Sequence, residues 1–314
     1  MGMSVDSYAN VLAEYRTRNI RASEDVLKKG IFILERNGLG KLGSEAWPFL
    51  EQLALAALDL GRLDIANECI SRLDKQFVGS PRVECLQGIR LEFKGAYDDA
   101  LAMYQAILEV DPQIPYAIWK RKISVLRQSG KIKHAVDELI TYLDAFYTDP
   151  EAWLELADIY ASMSLYLQSL SSLSHVLLLI PQNPFYVLQA AETAYTALDI
   201  PLALKFFLRS VEMVPEGGAS TRGWYGVKLC ARRLLSSLPT SLDAVATSSA
   251  SETPLPSAHH LALLDQLATE RLLAAYSTSS PSSAASKTAS VSASLAGSVA
   301  ADAREVLIRW LQGK

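Results

Sequence analysis

Chemistry in this 314-residue sequence could reside in four histidines, three cysteines, one acidic pair, one glycine-rich run and one basic cluster. His134, His175, His259 and His260 form no HExxH pair and no Cys/His spacing suited to zinc. Cys69, Cys85 and Cys230 make no CxxC pair, and three thiols cannot build a disulfide framework; they read as small buried residues in a reducing compartment. No GxSxG elbow and no GxxxxGKS/T loop is present. Asp98-Asp99 falls where a helix should begin, so its charge suits the positive end of the helix dipole. His259 and His260 are adjacent, and adjacent residues on a helix point apart. Gly38-Leu-Gly-Lys-Leu-Gly43 fits GxGxxG, but a dinucleotide loop needs a strand before it and here a helix precedes it. The run reads as a flexible connection between helices. The sequence therefore predicts no catalytic residue, no metal ligand set and no cofactor.

The basic cluster is the most informative surface feature. Lys120, Arg121, Lys122, Arg127, Lys131 and Lys133 fall in one stretch without an acid. On a helix, Lys120, Ser124 and Arg127 share one side, while Trp119, Ile123 and Leu126 must face neighbouring helices. We expect Lys120, Arg121, Lys122, Ser124, Arg127 and Lys131 to form a partner-binding surface in a groove. Its chemistry suits an acidic peptide or a C-terminal carboxylate. A solvated charged face and a contact with anionic lipid heads are the alternatives.

The elements that position this cluster repeat. Ala66, Ala100, Ala135, Ser169 and Ala203 recur at steps of 34, 35, 34 and 34 residues. Gly61, Gly95 and Gly130 precede their markers by the same interval, and Pro112, Pro181 and Pro215 follow theirs. Each copy reads as two amphipathic helices joined by a turn; Trp153, Leu156, Ala157 and Tyr160 form one such face. Ala54, Gly88, Ala157 and Ala191 recur on the first helix, and the markers on the second, so paired helices can approach closely. The glycines suit a left-handed turn and the prolines close the second helix. One pair cannot bury its own apolar face, so neighbours must stack. This period is that of a tetratricopeptide array.

The predicted fold is therefore all-α, a tetratricopeptide-repeat solenoid with helical caps and Ser/Ala-rich, disordered C-terminal insertions. Residues 1–43 read as an N-terminal cap. In it Val5, Tyr8, Leu12 and Tyr15 share one face, Ser23 is the expected N-cap of a second helix, and Leu27, Ile31 and Leu34 are that helix's buried stripe. Residues 44–236 are the repeat array, opened by Ser44 as an N-cap and closed by a helix with Trp224, Val227, Leu229, Leu234 and Leu235 apolar. Residues 237–258 and 277–300 are linkers rich in small and polar residues, which offer little apolar surface to offset chain entropy. Helices are expected at 259–276 and 301–314, folding back as a cap. A net charge of −4 and a pI of about 5.7 argue against nucleic acid as a partner. No signal-peptide pattern and no apolar run of membrane-spanning length is visible, so the chain reads as cytosolic with no transmembrane span.

Several ordered strings carry a closer resemblance. They are Ala57-Leu-Asp-Leu-Gly-Arg-Leu-Asp-Ile-Ala66, Gly79-Ser-Pro-Arg-Val83, Tyr97-Asp-Asp-Ala100 and Ile107-Leu-Glu-Val-Asp-Pro112. Lys120-Arg-Lys-Ile123, Ser129-Gly-Lys131 and Glu151-Ala-Trp-Leu-Glu-Leu-Ala-Asp-Ile-Tyr160 complete the set. Across roughly Leu50 to Pro215 the chain resembles the family of subunit 2 of the endoplasmic reticulum membrane protein complex, in a fungal form. Ser169 departs from the small Ala of the pattern, and the two Ser/Ala-rich stretches are longer than the family needs. The resemblance implies a non-catalytic scaffold on the cytosolic face of the endoplasmic reticulum. It implies assembly with integral membrane subunits and a second soluble subunit of a transmembrane-segment insertase. A free tetratricopeptide adaptor or co-chaperone, recognising a peptide in its groove, is the other reading.

Overall fold

The computed structural model describes residues 4–110, 116–214, 218–237, 253–276 and 303–311, and all regular structure among them is helical. The chain divides into two compact units, Met1–Tyr142 and Leu143–Lys314. The first holds α1 (Val5–Thr17), α2 (Ser23–Glu35), α3 (Leu39–Leu42), a 3-10 turn (Gly43–Glu45), α4 (Ala46–Asp59) and α5 (Leu63–Gln76). It continues through α6 (Pro81–Phe93), α7 (Tyr97–Val110), α8 (Tyr116–Gln128) and most of α9 (Ile132–Ala145). The second holds α10 (Pro150–Ser162), α11 (Tyr166–Leu179), α12 (Pro184–Thr196), α13 (Ile200–Met213), α14 (Gly218–Ser237), α15 (Ala258–Ala275) and a helix at 303–311.

The helices pair where the small residues recur. Ala54, Ala66, Ala100, Ala135 and Ala203 expose no surface, so neighbouring helices close onto them without a gap. At Gly88 a Cβ would lie 2.4 Å from the Tyr104 ring, so the missing side chain is the space that a buried tyrosine occupies. The Tyr104 hydroxyl donates to Glu92 at 2.5 Å, and Arg121 donates to the other carboxylate oxygen at 3.0 Å. Glu92 is itself buried, so this network satisfies its charge and ties α6, α7 and α8 together.

The turn inside each pair is built the same way five times. Gly61, Gly95 and Gly130 sit at φ of 75°, 75° and 76°. Ser164 and Leu198 occupy the same step of the repeat at 60° and 67°. In every copy the next residue's N–H reaches back five residues to a helix carbonyl, as Arg62 does to Ala57 at 2.8 Å and Asp199 to Ala194 at 3.0 Å. That is the left-handed C-terminal cap that ends one helix and launches the next.

The starts of α10, α12 and α13 in the second unit are set by side chains. Asp149, Asn183 and Asp199 accept from the first backbone N–H groups of α10, α12 and α13, each of which carries proline in its first turn. The Ser169 hydroxyl donates to the Ala157 carbonyl at 2.9 Å, which accounts for a polar residue at a fully closed helix contact. Lys228, buried on α14, is held by Asp265 at 2.6 Å and Thr269 at 2.6 Å on α15.

Several local expectations are corrected. Ser23 is the first residue of α2 rather than its cap, and its hydroxyl donates to Asp59 at 2.6 Å. Ser44 lies inside the 3-10 turn, and α4 starts at Ala46 without a side-chain cap. The buried stripe of α2 is Val26, Leu27, Gly30 and Ile33; Ile31 and Leu34 are only partly covered, because the Gly30 face closes onto Leu53 of α4. Leu229, one of the apolar residues named on α14, is 40% exposed. The GxGxxG run is not a plain connection but folds into α3 and the 3-10 turn. The linkers expected at 237–258 and 277–300, and Pro112 and Pro215, lie wholly or mostly outside the described residues.

Candidate functional site

The first unit contains a cleft of about 660 Å³. Its walls are the end of α1, the Asn19–Ala22 link, the start of α2, and one face each of α4, α6 and α8. Val26, Leu55, Ala56, Ile89 and Ala117 supply apolar lining. Around it stand four arginines, Arg16, Arg21, Arg82 and Arg121, against two carboxylates, Glu51 and Asp59.

Each arginine is held by a partner on another element. Arg21 makes a two-point contact with Asp59 at 2.5 and 2.9 Å. Arg82 does the same with Glu51 at 2.6 and 2.8 Å. Arg16 donates to Gln52 at 2.9 Å and to Glu45 at 2.7 Å, and Arg121 reaches Glu92. In three pairs the guanidinium lies nearer to solvent than its acid: 81% against 26% for Arg21–Asp59, 76% against 23% for Arg82–Glu51, and 36% against 6% for Arg121–Glu92. At these three pairs positive charge points outward, whereas at Arg16–Glu45 the order is reversed, 21% against 63%. A guanidinium keeps unused donors when one fork is engaged, so these side chains can add a second acceptor. The Arg21 hydrogen bonds, helped by that of Ser23, hold the Asp59 carboxyl below its ordinary range against the opposing effect of burial. Burial raises the Cys85 thiol above its usual value, so this cleft residue is not an activated thiolate.

The basic residues singled out in the sequence separate around α8. Arg121 lines the cleft. Lys122 turns toward α7 and α9, donating to Gln105 at 2.7 Å and to Glu138 at 2.6 Å, beside a second hollow of about 390 Å³. Lys131 pairs with Asp98 at 2.8 Å at the start of α9. Lys120 lies 5.7 Å from the Tyr116 ring centre and 5.9 Å from that of Tyr142, each a cation–π contact. Ser124 is half-buried and Arg127 is exposed. Lys120 and Ser124 stand one repeat beyond Cys85 and Ile89, both of which line the cleft. Arg16, Arg21 and Arg82 were missed. Arg82 could have been found by carrying the groove face of α8 back through one repeat, since it matches Ala117. Arg16 and Arg21 belong to the cap, which lies outside the repeat register. Among the described residues no three His, Cys, Asp or Glu side chains gather as metal ligands.

The stacked helix pairs and their repeated left-handed caps define the class: an all-α tetratricopeptide-repeat solenoid protein. The C-terminal part of a TPR repeat-containing protein from Cytophaga hutchinsonii superposes with a TM-score of 0.55 at 16% identity, over 82% of this chain and 95% of that one, and supports the fold alone. Residues 78–202 match the EMC2 TPR-like repeat domain. ER membrane protein complex subunit 2-A of Xenopus laevis is 39% identical over 202 residues, covering 63% of this chain and 67% of the relative. TPR repeat protein oca3 of Schizosaccharomyces pombe is 36% identical over 209 residues, covering 65% and 73%. The chain belongs to the ER membrane protein complex subunit 2 family.

Proposed function

We propose that this protein is a non-catalytic scaffold subunit of the endoplasmic reticulum membrane protein complex, acting on the cytosolic face of a transmembrane-segment insertase. Family membership supports the assembly. The observation that carries the mechanism is the N-terminal cleft, with its apolar lining and outward guanidiniums. In this reading the cleft immobilises a segment of another subunit that presents apolar side chains flanked by carboxylates. Arg21, Arg82 and Arg121 take up the carboxylates, and Lys120, Ser124, Arg127, Lys122 and Lys131 extend the partner surface along and around α8. No described helix is long and apolar enough to cross a membrane, so the membrane contacts are assigned to other subunits.

The test is capture of the tagged chain from mild-detergent extract, followed by mass spectrometry and sizing. Several integral endoplasmic reticulum membrane proteins in one large assembly are expected. Replacing both Arg21 and Arg82 with alanine is expected to lower that recovery at least about fivefold, because truncating a desolvated interfacial charge typically costs 2 kcal/mol or more. Capture of soluble chaperones alone would favour the free adaptor. Unchanged capture by the double variant would remove the cleft from the mechanism.

A further inference from the structure

Helix α11 turns one uncharged face to solvent. Leu167, Ser171, Ser174 and Leu178 follow at steps of four, three and four residues, so they form a single line along the helix. All four are exposed, the leucines at 72% and 79%. No Asp, Glu, Lys or Arg occurs in residues 159–191, so nothing on α11 brings charge to this line. The Ser174 hydroxyl donates back to the Leu170 carbonyl at 2.9 Å, and the neighbouring His175 ring is stacked on Trp153 with centroids 4.2 Å apart. An apolar surface can therefore close over the line without stranding the Ser174 donor.

The next repeat supplies the charge. One step of 34 residues carries Ser171 and His175 to Lys205 and Arg209 on α13. Leu170 of α11 and Phe206 of α13 pack on the same core cluster, with Ala190 of α12 in it, which sets the two helices side by side. Lys205 and Arg209 are both exposed, and neither has an acidic partner among the described residues. The remaining ionic residue of α13, Glu212, lines a hollow with Trp224 and Arg271. Two like charges one turn apart repel each other, and an acid that reaches both relieves the repulsion. The cleft arginines differ in this respect, since Arg21, Arg82 and Arg121 are each engaged by a carboxylate.

We propose that the α11–α13 face docks an amphipathic helix of a partner protein, whose apolar stripe lies along the line from Leu167 to Leu178 and whose acidic border meets Lys205 and Arg209. The line is about 16 Å long at 1.5 Å per residue, which matches three turns of a partner helix. Large residues at its ends and small ones between them form a seat. The partner's apolar side chains settle over Ser171 and Ser174, between the two leucines, as ridges settle into grooves. Charge argues against a second copy as the occupant, because a two-fold axis across α11 would place Lys205 and Arg209 opposite their own counterparts. A bilayer is also a poorer match. Two leucines and two cations supply less than the single acyl chain that gives only marginal membrane binding. The proposal is independent of the cleft, whose walls belong to the first unit.

The test replaces Ser171 of the full-length chain with the photo-crosslinking residue benzoylphenylalanine, in cells of its own source, and maps the adduct by mass spectrometry. The expected adduct is a protein segment with apolar residues at helical spacing and Asp or Glu along one border. A synthetic peptide of that segment should bind the purified chain, and K205E/R209E should weaken it at least about fivefold. Replacing the peptide's acids with lysine should restore binding to K205E/R209E, a rescue that a merely structural effect of the substitutions would not give. Flotation with vesicles of phosphatidylcholine and phosphatidylserine, two to one, should leave the chain unbound. An adduct with lipid, or flotation that K205E/R209E abolishes, would assign the face to a membrane and overturn the proposal. So would an adduct with a second copy, a mapped segment without acids, or equal peptide binding by K205E/R209E. Absence of any adduct from a crosslinker-bearing chain that keeps its circular dichroism and melting temperature also overturns it.

Discussion

Leu198 shows how a repeat can tolerate the wrong residue. Its φ of 67° is the left-handed conformation that Gly61, Gly95 and Gly130 adopt at the same step. For an L-residue with a side chain that costs roughly 1–2 kcal/mol. Leu198 is 66% exposed, so its side chain returns little by burial. Leu198→Gly should therefore stabilise the chain by about 0.5–1 kcal/mol after the extra backbone entropy of glycine is deducted. A rise in the urea midpoint at unchanged slope would show it, and a fall would mean that the side chain packs more than its exposure implies. The three glycines were legible in the sequence because their residue type announces the backbone. Ser164 and Leu198 were not, because only the five matching hydrogen-bond pairs reveal that the same turn is made. Ser169 was legible as a departure from the small-residue series, but its compensation, a hydroxyl aimed at the Ala157 carbonyl, was not.

At the level of elements, the cap helices are joined to α4 by charge as well as by packing. Arg21 and Ser23 both donate to Asp59 at the end of α4, and their hydrogen bonds lower its pKa. A carboxyl depressed in the folded state binds protons more weakly there than in the unfolded chain, for which about 3.9 is usual. The stabilisation is therefore complete above that value and disappears as pH falls through the lower, folded pKa. Exchange of α1 and α2 amides should accelerate relative to α6 between pH 5 and pH 2, and R21A should flatten that dependence. An identical profile in R21A would assign the linkage to other carboxylates. The repeat helices were legible as a series, since apolar spacing and the small-residue markers recur with the pairs that the structure shows. The cleft was less so. Its arginines come from the cap and two separate repeat helices, and no linear pattern states that Arg21 and Arg82 line one cavity. The basic run around Lys120 was conspicuous for the opposite reason: it is contiguous in sequence, but the helix turns its members to different neighbours.

At the scale of the whole molecule, charge is unevenly distributed. Between Asp158 and Glu192 the sequence contains no Asp, Glu, Lys or Arg. Helix α11, in the middle of that stretch, leaves Leu167 and Leu178 open to solvent, and Phe185 beyond it is exposed too. Scattered exposed leucines are ordinary, but an uncharged helix face is a liability for an isolated chain and suits a protein that works inside an assembly. Leu178→Lys should increase the soluble yield of the chain expressed alone, and should leave its melting temperature within about 2 °C, because a surface substitution shifts stability by no more than about 0.5 kcal/mol. A larger drop would show that Leu178 packs within the fold.

Residues on either side of segment 277–302 meet at a single side chain. The Tyr225 hydroxyl donates to that of Tyr276, the residue before the segment, and its ring receives Trp310 from the helix after it. A stretch whose anchors are already side by side can change length at little cost, since closing a chain twice as long adds only about 0.6 kcal/mol. For the experimenter it is a ready port, where a fluorescent or affinity module can be spliced into the interior of the chain while the flanking helices remain in place.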